Sequence, residues 1–186
     1  LLGSCALVSG TETVSPAPMD GPAPTGLLEA AELYDLGDGL TLAIPGDLTE
    51  EVLVLDSIEG GSGFPYVYER QSYTDSMADY GFPSGFLFTL VRYDQVQYEQ
   101  EFLATNGGSG GLRFFGRDED WYYGWATATD VQFYRSGGGE VDTQSQGWQE
   151  WEAVYGRMDD IRADFIARNG LEPYDDEEVF GRAFFW

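Results

Sequence analysis

Apolar residues recur along this chain with two different periods, and the change from one to the other separates a β-rich body from a helical end. Leu40-Thr41-Leu42-Ala43-Ile44, stopped by Pro45-Gly46, is the first clear strand, and Val52-Leu53-Val54-Leu55 and Tyr66-Val67-Tyr68 follow as two more. Residues 85–93, GFLFTLVRY, are the strongest strand pattern in the chain and are expected at the centre of a sheet. Residues 102–105 and 112–115 flank the glycine loop 107–111 and read as a hairpin, and Trp121–Ala126 adds a further strand. Residues 71–85 carry Ser, Asp, Gly and Pro83 and read as a long connection. Ahead of the strands, residues 27–34 show a short helical pattern that leads into a glycine-rich turn at 35–39.

From 143 to 168 the period lengthens. Trp148, Trp151, Tyr155, Met158, Ile161 and Phe165 recur every three to four residues and line one face of a helix, while Glu152, Asp159, Arg162 and Asp164 fall elsewhere. Thr143 with Gln146 fits a capping box, and Asn169-Gly170 followed by Pro173 is a stop signal. Gly156, which costs about 1 kcal/mol against alanine inside a helix, suggests close contact with the sheet. Strands in succession with one long helix at the end predict an α+β domain over residues 27–186, an antiparallel sheet covered on one face by the C-terminal helix.

Composition narrows the function classes. The 186 residues include 33 Asp and Glu against nine arginines and no lysine, a formal charge of −24 that repels polyanions and argues against nucleic acid as a partner. Histidine is absent, which removes Ser/His/Asp and Cys/His catalysis, HExxH zinc sites and every other histidine-ligated metal. Without lysine there is no Schiff base. No cofactor is implied, and the chemistry left is that of carboxylates, tyrosines and arginines.

The one cysteine is Cys5. Leu2-Gly3-Ser4-Cys5 resembles the bacterial lipobox, which implies residues 1–8 as a signal-peptide remnant with Cys5 as the site of lipid attachment. Residues 9–26, SGTETVSPAPMDGPAPTG, are rich in Pro, Gly, Ser and Thr and read as a tether about 50 Å long if extended. The segments LTLAIPGDL (40–48), GFLFTLVRYD (85–94) and YYGWATATDVQFY (122–134), with the closing helix, resemble an uncharacterised extracellular lipoprotein domain of Gram-positive bacteria over about residues 40–168. The order of elements is also similar to the Mog1/PsbP-like fold. These resemblances imply a fold and an extracellular, membrane-anchored location, and supply no catalytic residues.

Four groups are candidates for chemistry. Glu119 and Asp120, beside Trp121 and Arg117, are the most plausible acid pair for glycan hydrolysis, against the plainer reading of a solvated turn. Asp35 with Asp38, and Asp118 with Asp120, are oxygen-rich enough for calcium but match no EF-hand order. Trp121, Tyr123 and Trp125 alternate along a strand and share a face, either as a platform for stacking sugars or as a second core; the opposite face, Tyr122, Gly124, Ala126 and Ala128, is small, as where a helix lies close. Asp130 is expected to cap a turn by accepting backbone amides. After the acidic run 175–178 the sequence VFGRAFFW (179–186) is apolar, a docking segment for the domain or for another protein. The resulting expectation is a cell-surface lipoprotein that acts as a non-catalytic interaction or accessory module of the envelope, with a membrane lipid anchor and an envelope protein or glycan as partner. The alternative is a carboxylate-dependent glycan hydrolase or a glycan-binding domain.

Overall fold

The computed structural model describes residues 27–28, 31–56, 63–105, 107, 111–137 and 141–176. The lipobox, the tether and the apolar segment 179–186 lie outside them. Among the described residues eight strands form two sheets, and the fold is α+β with antiparallel pairing between them.

β1 (Glu32–Gly37) and β2 (Leu40–Ile44) form a hairpin of their own. The expected helix over 27–34 is therefore a strand at its C-terminal half. Tyr34 and Leu36 alternate onto the core while Leu33 stays exposed, a period of two that the closely spaced leucines obscure. The turn is confined to Asp38 and Gly39, and Gly37, Asp38 and Gly39 all take positive φ.

The main sheet has the order β3-β4-β5-β7-β6-β8: β3 (Val52–Leu55), β4 (Tyr66–Glu69), β5 (Phe86–Asp94), β6 (Leu112–Arg117), β7 (Trp121–Ala126) and β8 (Glu172–Pro173). β5 is paired on both sides, as its apolar run predicts. The partner of β6 in a hairpin is β7, joined through Asp118–Asp120; residues 102–105 are not its other arm. They end a helical segment, α2 (Gln95–Gln97) running on as a π-helix (Tyr98–Leu103), in which Tyr98 and Phe102 face inward. Asp94 starts it with a capping box to Gln97.

Residues 70–80 are also a helix rather than a connection. In α1 (Arg70–Tyr80) the buried positions are Ser72 and Ser76, so no apolar stripe announces it. Glu69 caps it by accepting the amides of Gln71 and Ser72, and Gly81 closes it in the left-handed conformation. Gly85 (φ 81°) lies so close beneath this helix that a Cβ there would stand 2.7 Å from the Glu69 carbonyl oxygen and 2.8 Å from the Ser72 Cβ.

The C-terminal helix is present as two pieces, α3 (Gln146–Tyr155) and α4 (Met158–Arg168), with Ser145 rather than Thr143 as its N-cap. Gly156 terminates α3 and is exposed, so it marks the break and not an approach to the sheet. Trp151, Met158, Ile161 and Phe165 are buried as their spacing predicts. Asp164, expected on the polar side, is fully buried: its carboxylate binds Arg168 at 2.8 Å and accepts the Leu28 amide at 2.6 Å. β2 rests on α4, and the Asn169 side chain exchanges two hydrogen bonds with the Thr41 backbone, acting as a one-residue strand partner.

Both faces of the main sheet are covered. One carries the large core, with Phe88, Leu90, Tyr123 and Trp125 beneath β2, α3 and α4. The other carries a smaller aromatic core of Tyr98, Phe102 and Phe114 beneath the π-helix.

Candidate functional site

The row Trp121, Tyr123 and Trp125 lies on the face of β7 that the C-terminal helices cover. Trp125 is 2% exposed, with Phe115 and Phe88 at ring-centroid distances of 5.1 and 5.3 Å, and Tyr123 is 3% exposed against Phe165. Trp121 is half buried under the Arg92 guanidinium, 4.4 Å from its ring centroid. The three rings are thus packed, and offer no open platform to a sugar. The helix next to the opposite face is the π-helix, whose Tyr98 stacks on Tyr122 at 3.9 Å and 7° between planes. Gly124 is small for a reason inside the sheet: a Cβ there would lie 2.1 Å from the Arg113 carbonyl oxygen.

The candidate acids are engaged in turns. Asp118 accepts hydrogen bonds from the amides of Asp120 and Trp121 and from the Tyr123 hydroxyl at 2.8 Å. Burial works against its charge, yet the Tyr123 hydroxyl, these amides and Arg92 together hold its carboxyl below the usual range. Burial, and then the hydrogen bond to Asp118 and its charge, push the Tyr123 phenol well above its ordinary value. Asp38 pairs with Arg92 at 2.9 Å and Asp35 accepts the Gly37 amide. Arg92 stands beside Asp38 and acts on Asp118, and among the described residues no group of three acids is placed to hold a metal. Glu119 and Asp120 are exposed at the tip of the β6–β7 turn. Asp130 accepts from the Gln132 side-chain amide rather than from backbone.

The cavity in the described structure with the strongest site character lies elsewhere. A cleft of about 680 Å³ opens where the sheet ends against α3. Trp148, Trp151 and Tyr155 form one wall, Leu112 and Phe86 belong to the strands opposite, and residues 127–132 close it. The wall is a continuous aromatic ladder: Phe133 meets Trp148 edge-on at 5.4 Å, Trp148 meets Trp151 at 5.2 Å, and Trp151 stacks on Tyr155 at 5.1 Å and 17°. Trp148 and Tyr155 are half buried, so the ladder shows part of its surface to the cleft.

The closing segment is held from three sides. The Gln132 carbonyl accepts from the Gly85 amide at 2.7 Å and from the Ser84 hydroxyl at 2.7 Å, and Ser72 Oγ accepts the Tyr134 amide. Arg135 reaches inward to both carboxylate oxygens of Glu69, to Ser72 and to the carbonyl of Gly147 at the start of α3. At the other end Gly111 (φ 85°) receives the Thr127 amide on its carbonyl, with a Cβ position only 2.2 Å from the Thr127 oxygen.

Two features give the cleft binding character. The Trp151 indole Nε1 is buried and, among the described residues, has no hydrogen-bond partner, an omission that ordinarily costs about 1–3 kcal/mol. Asp130 and Glu152 line the cleft, are exposed, and form no ion pair among the described residues, whereas all eight described arginines are engaged within the fold. No family model matches the chain, and no curated protein or solved structure matches it. The geometry alone therefore marks this cleft as the candidate site. It could not be read from the sequence because its walls come from segments spread over residues 86–155; the one local signal, the Trp148, Trp151, Tyr155 spacing, is the same signal that packs a helix.

Proposed function

We propose that this protein is a non-catalytic binding module of the bacterial envelope, and that the α3 cleft is where it receives its partner. The observation that carries the reading is the cleft itself: its volume lies in the range of about 300–1,000 Å³ usual for ligand sites, and an aromatic wall faces a few convergent polar groups. Asp130 and Glu152 share it, which is the arrangement that favours the alternative of a carboxylate-dependent glycan hydrolase. Both are exposed, however, and the acid of such an enzyme relies on an apolar setting to keep its proton. A partner with flat apolar surface and hydroxyl or cationic groups, an envelope protein segment or a glycan, suits aromatic stacking with carboxylates at the rim.

Trp148→Ala tests this reading. It is expected to weaken binding of a wall glycan or of an envelope-protein peptide by about tenfold or more, read from intrinsic tryptophan fluorescence. Binding that survives Trp148→Ala but is lost on Trp121→Ala would move the site to β7. Release of sugar from a glycan, abolished by Glu152→Gln, would turn the reading to hydrolysis.

The location belongs to the same proposal: a lipid on Cys5 would hold the domain at the extracellular face of the membrane, the Pro-rich segment 9–26 serving as spacer. Its support is the Leu2-Gly3-Ser4-Cys5 motif with a polar linker behind it; among the described residues no helix is long and apolar enough to cross a membrane. Expressed in a bacterial host with its signal sequence, the protein is expected to partition with membranes, and Cys5→Ser to release it into the soluble fraction. An unchanged partition would end the lipid-anchor reading. The antiparallel sheet with a C-terminal helical arm also supports a Mog1/PsbP-like arrangement.

A further inference from the structure

We infer that the exposed aromatic end of α1 is a second contact surface, which receives a basic segment of a partner protein with its arginine or lysine side chains laid on the rings of Tyr80 and Phe82. It is separate from the α3 cleft and does not depend on it.

The rings set the place. Among the described residues, large apolar side chains that stand exposed are otherwise scattered, one each on β1, on α2 and on two loops, but Met77, Tyr80 and Phe82 come together where α1 ends. Tyr80 is 59% and Phe82 61% exposed, their rings stack at 5.6 Å and 21°, and Tyr134 meets Tyr80 edge-on at 5.3 Å. Gly81, left-handed between them (φ 74°), ends the helix and turns Phe82 back beside Tyr80. Neither core cluster includes any of these three rings, so packing of the interior does not account for them. Apolar side chains gathered in the open in this way are the usual mark of an interaction surface.

The helix end and Asp79 set the sign of the partner. The C-terminus of a helix carries a partial negative charge, which a basic residue in the last turn ordinarily offsets. α1 has no basic residue there. It has Asp79 instead, exposed, whose carboxylate accepts the Tyr134 hydroxyl at 2.8 Å and so lies against the same rings. The arginines of the two segments that build the patch turn away from it: Arg70 donates to the carbonyls of Thr49, Glu50 and Val52, and Arg135 to Glu69. An open ring face under negative potential attracts guanidinium and ammonium groups. The formal charge of −24 repels a second copy of the chain and an anionic lipid surface, and draws a basic segment in.

The test follows the fluorescence anisotropy of a labelled dodecapeptide of alternating arginine and alanine against the full chain at physiological ionic strength, with the serine–alanine peptide as neutral control. The arginine peptide is expected to bind and the control not to. Phe82→Ala, and Tyr80→Ser combined with Phe82→Ser, leave the net charge unchanged; they should weaken binding about threefold and about tenfold, with urea midpoints close to that of the parent. Asp79→Asn keeps an acceptor for the Tyr134 hydroxyl and removes the charge. It should weaken binding about threefold while leaving the urea midpoint level or higher, a pair of directions that a purely structural carboxylate would not give. No binding of the arginine peptide, or equal affinity in the parent and the ring variants, would overturn the inference, the latter by showing only general attraction to an acidic chain. So would a loss on Trp148→Ala alone, which places the peptide in the cleft, or a preference of the rings for cellohexaose or for phosphatidylglycerol vesicles. A dimer in sedimentation that the ring variants dissolve would make a second copy the occupant and overturn it too.

Discussion

Glu69→Ala is expected to lower the free energy of unfolding by about 3–5 kcal/mol, the range for stripping one partner from a buried ion pair. Glu69 is 4% exposed and does three things at once. It caps α1 through the amides of Gln71 and Ser72, it receives both terminal nitrogens of Arg135 at 3.0 and 3.2 Å, and it thereby fixes the segment that closes the cleft against the start of α3. Removing it leaves the arginine, only partly exposed, facing two orphaned amides. Urea titration of the single variants and of the pair reads the effect. Because the cost lies in the charge left behind, Glu69→Ala with Arg135→Ala should be less destabilising than the sum of the two alone. Strict additivity would mean that the two groups do not act on each other.

Trp125→Ala should cost about 3–5 kcal/mol by a different mechanism, the loss of contact and the void left by a large ring. Its ring lies between Phe88 and Phe115 with the Arg162 guanidinium 5.9 Å from its centroid, and its indole nitrogen has no partner among the described residues, so no hydrogen bond is lost with it. Asp159→Ala makes the comparison: its carboxylate pairs with Arg162 at the surface with 78% of the side chain exposed, and its removal should change stability by no more than about 0.5 kcal/mol. A native-like denaturation midpoint for Trp125→Ala would mean that the face of β7 under α4 is not the centre of the core.

What the sequence discloses about this fold follows how each element is buried. β2, β3, β4, β5 and β7 are legible because alternate or continuous apolar side chains meet the core. The α3–α4 arm is legible because its apolar positions recur at helical spacing, although its break at Gly156 and Arg157 is not. α1 is silent because it packs through Ser72 and Ser76 and is started by a glutamate whose capping geometry is held by an arginine 66 residues away. The π-helix hides for another reason: Tyr98, Phe102 and Leu103 are apolar enough for a strand, and only the aromatic floor of Phe114 and Tyr122 beneath them selects the wider helix. Asp164 is misread because a lone acid on a helix is ordinarily solvated, and its burial depends on Arg168 and on the Leu28 amide arriving from the far end of the chain. The cleft shares that long-range origin. Its chemistry is ordinary in every segment that contributes to it, and becomes a site only when four of them meet.

The hairpin that stands apart from the main sheet has a mechanical consequence. Glu32, where β1 begins, pairs with Ile44, where β2 leaves for the body of the protein, so the incoming chain and the fixed end lie at the same open end of the hairpin. A pull applied to the chain ahead of residue 27 would load the Leu28–Asp164 hydrogen bond and then separate β1 from β2 one residue pair at a time, from Glu32 toward Asp35, instead of shearing all the pairs together. Peeling needs far less force than shear, because only one pair bears the load at any moment. Under tension, then, β1 is a sacrificial ribbon: it can be paid out and zipped back while the six-stranded sheet and the cleft at its end keep their geometry.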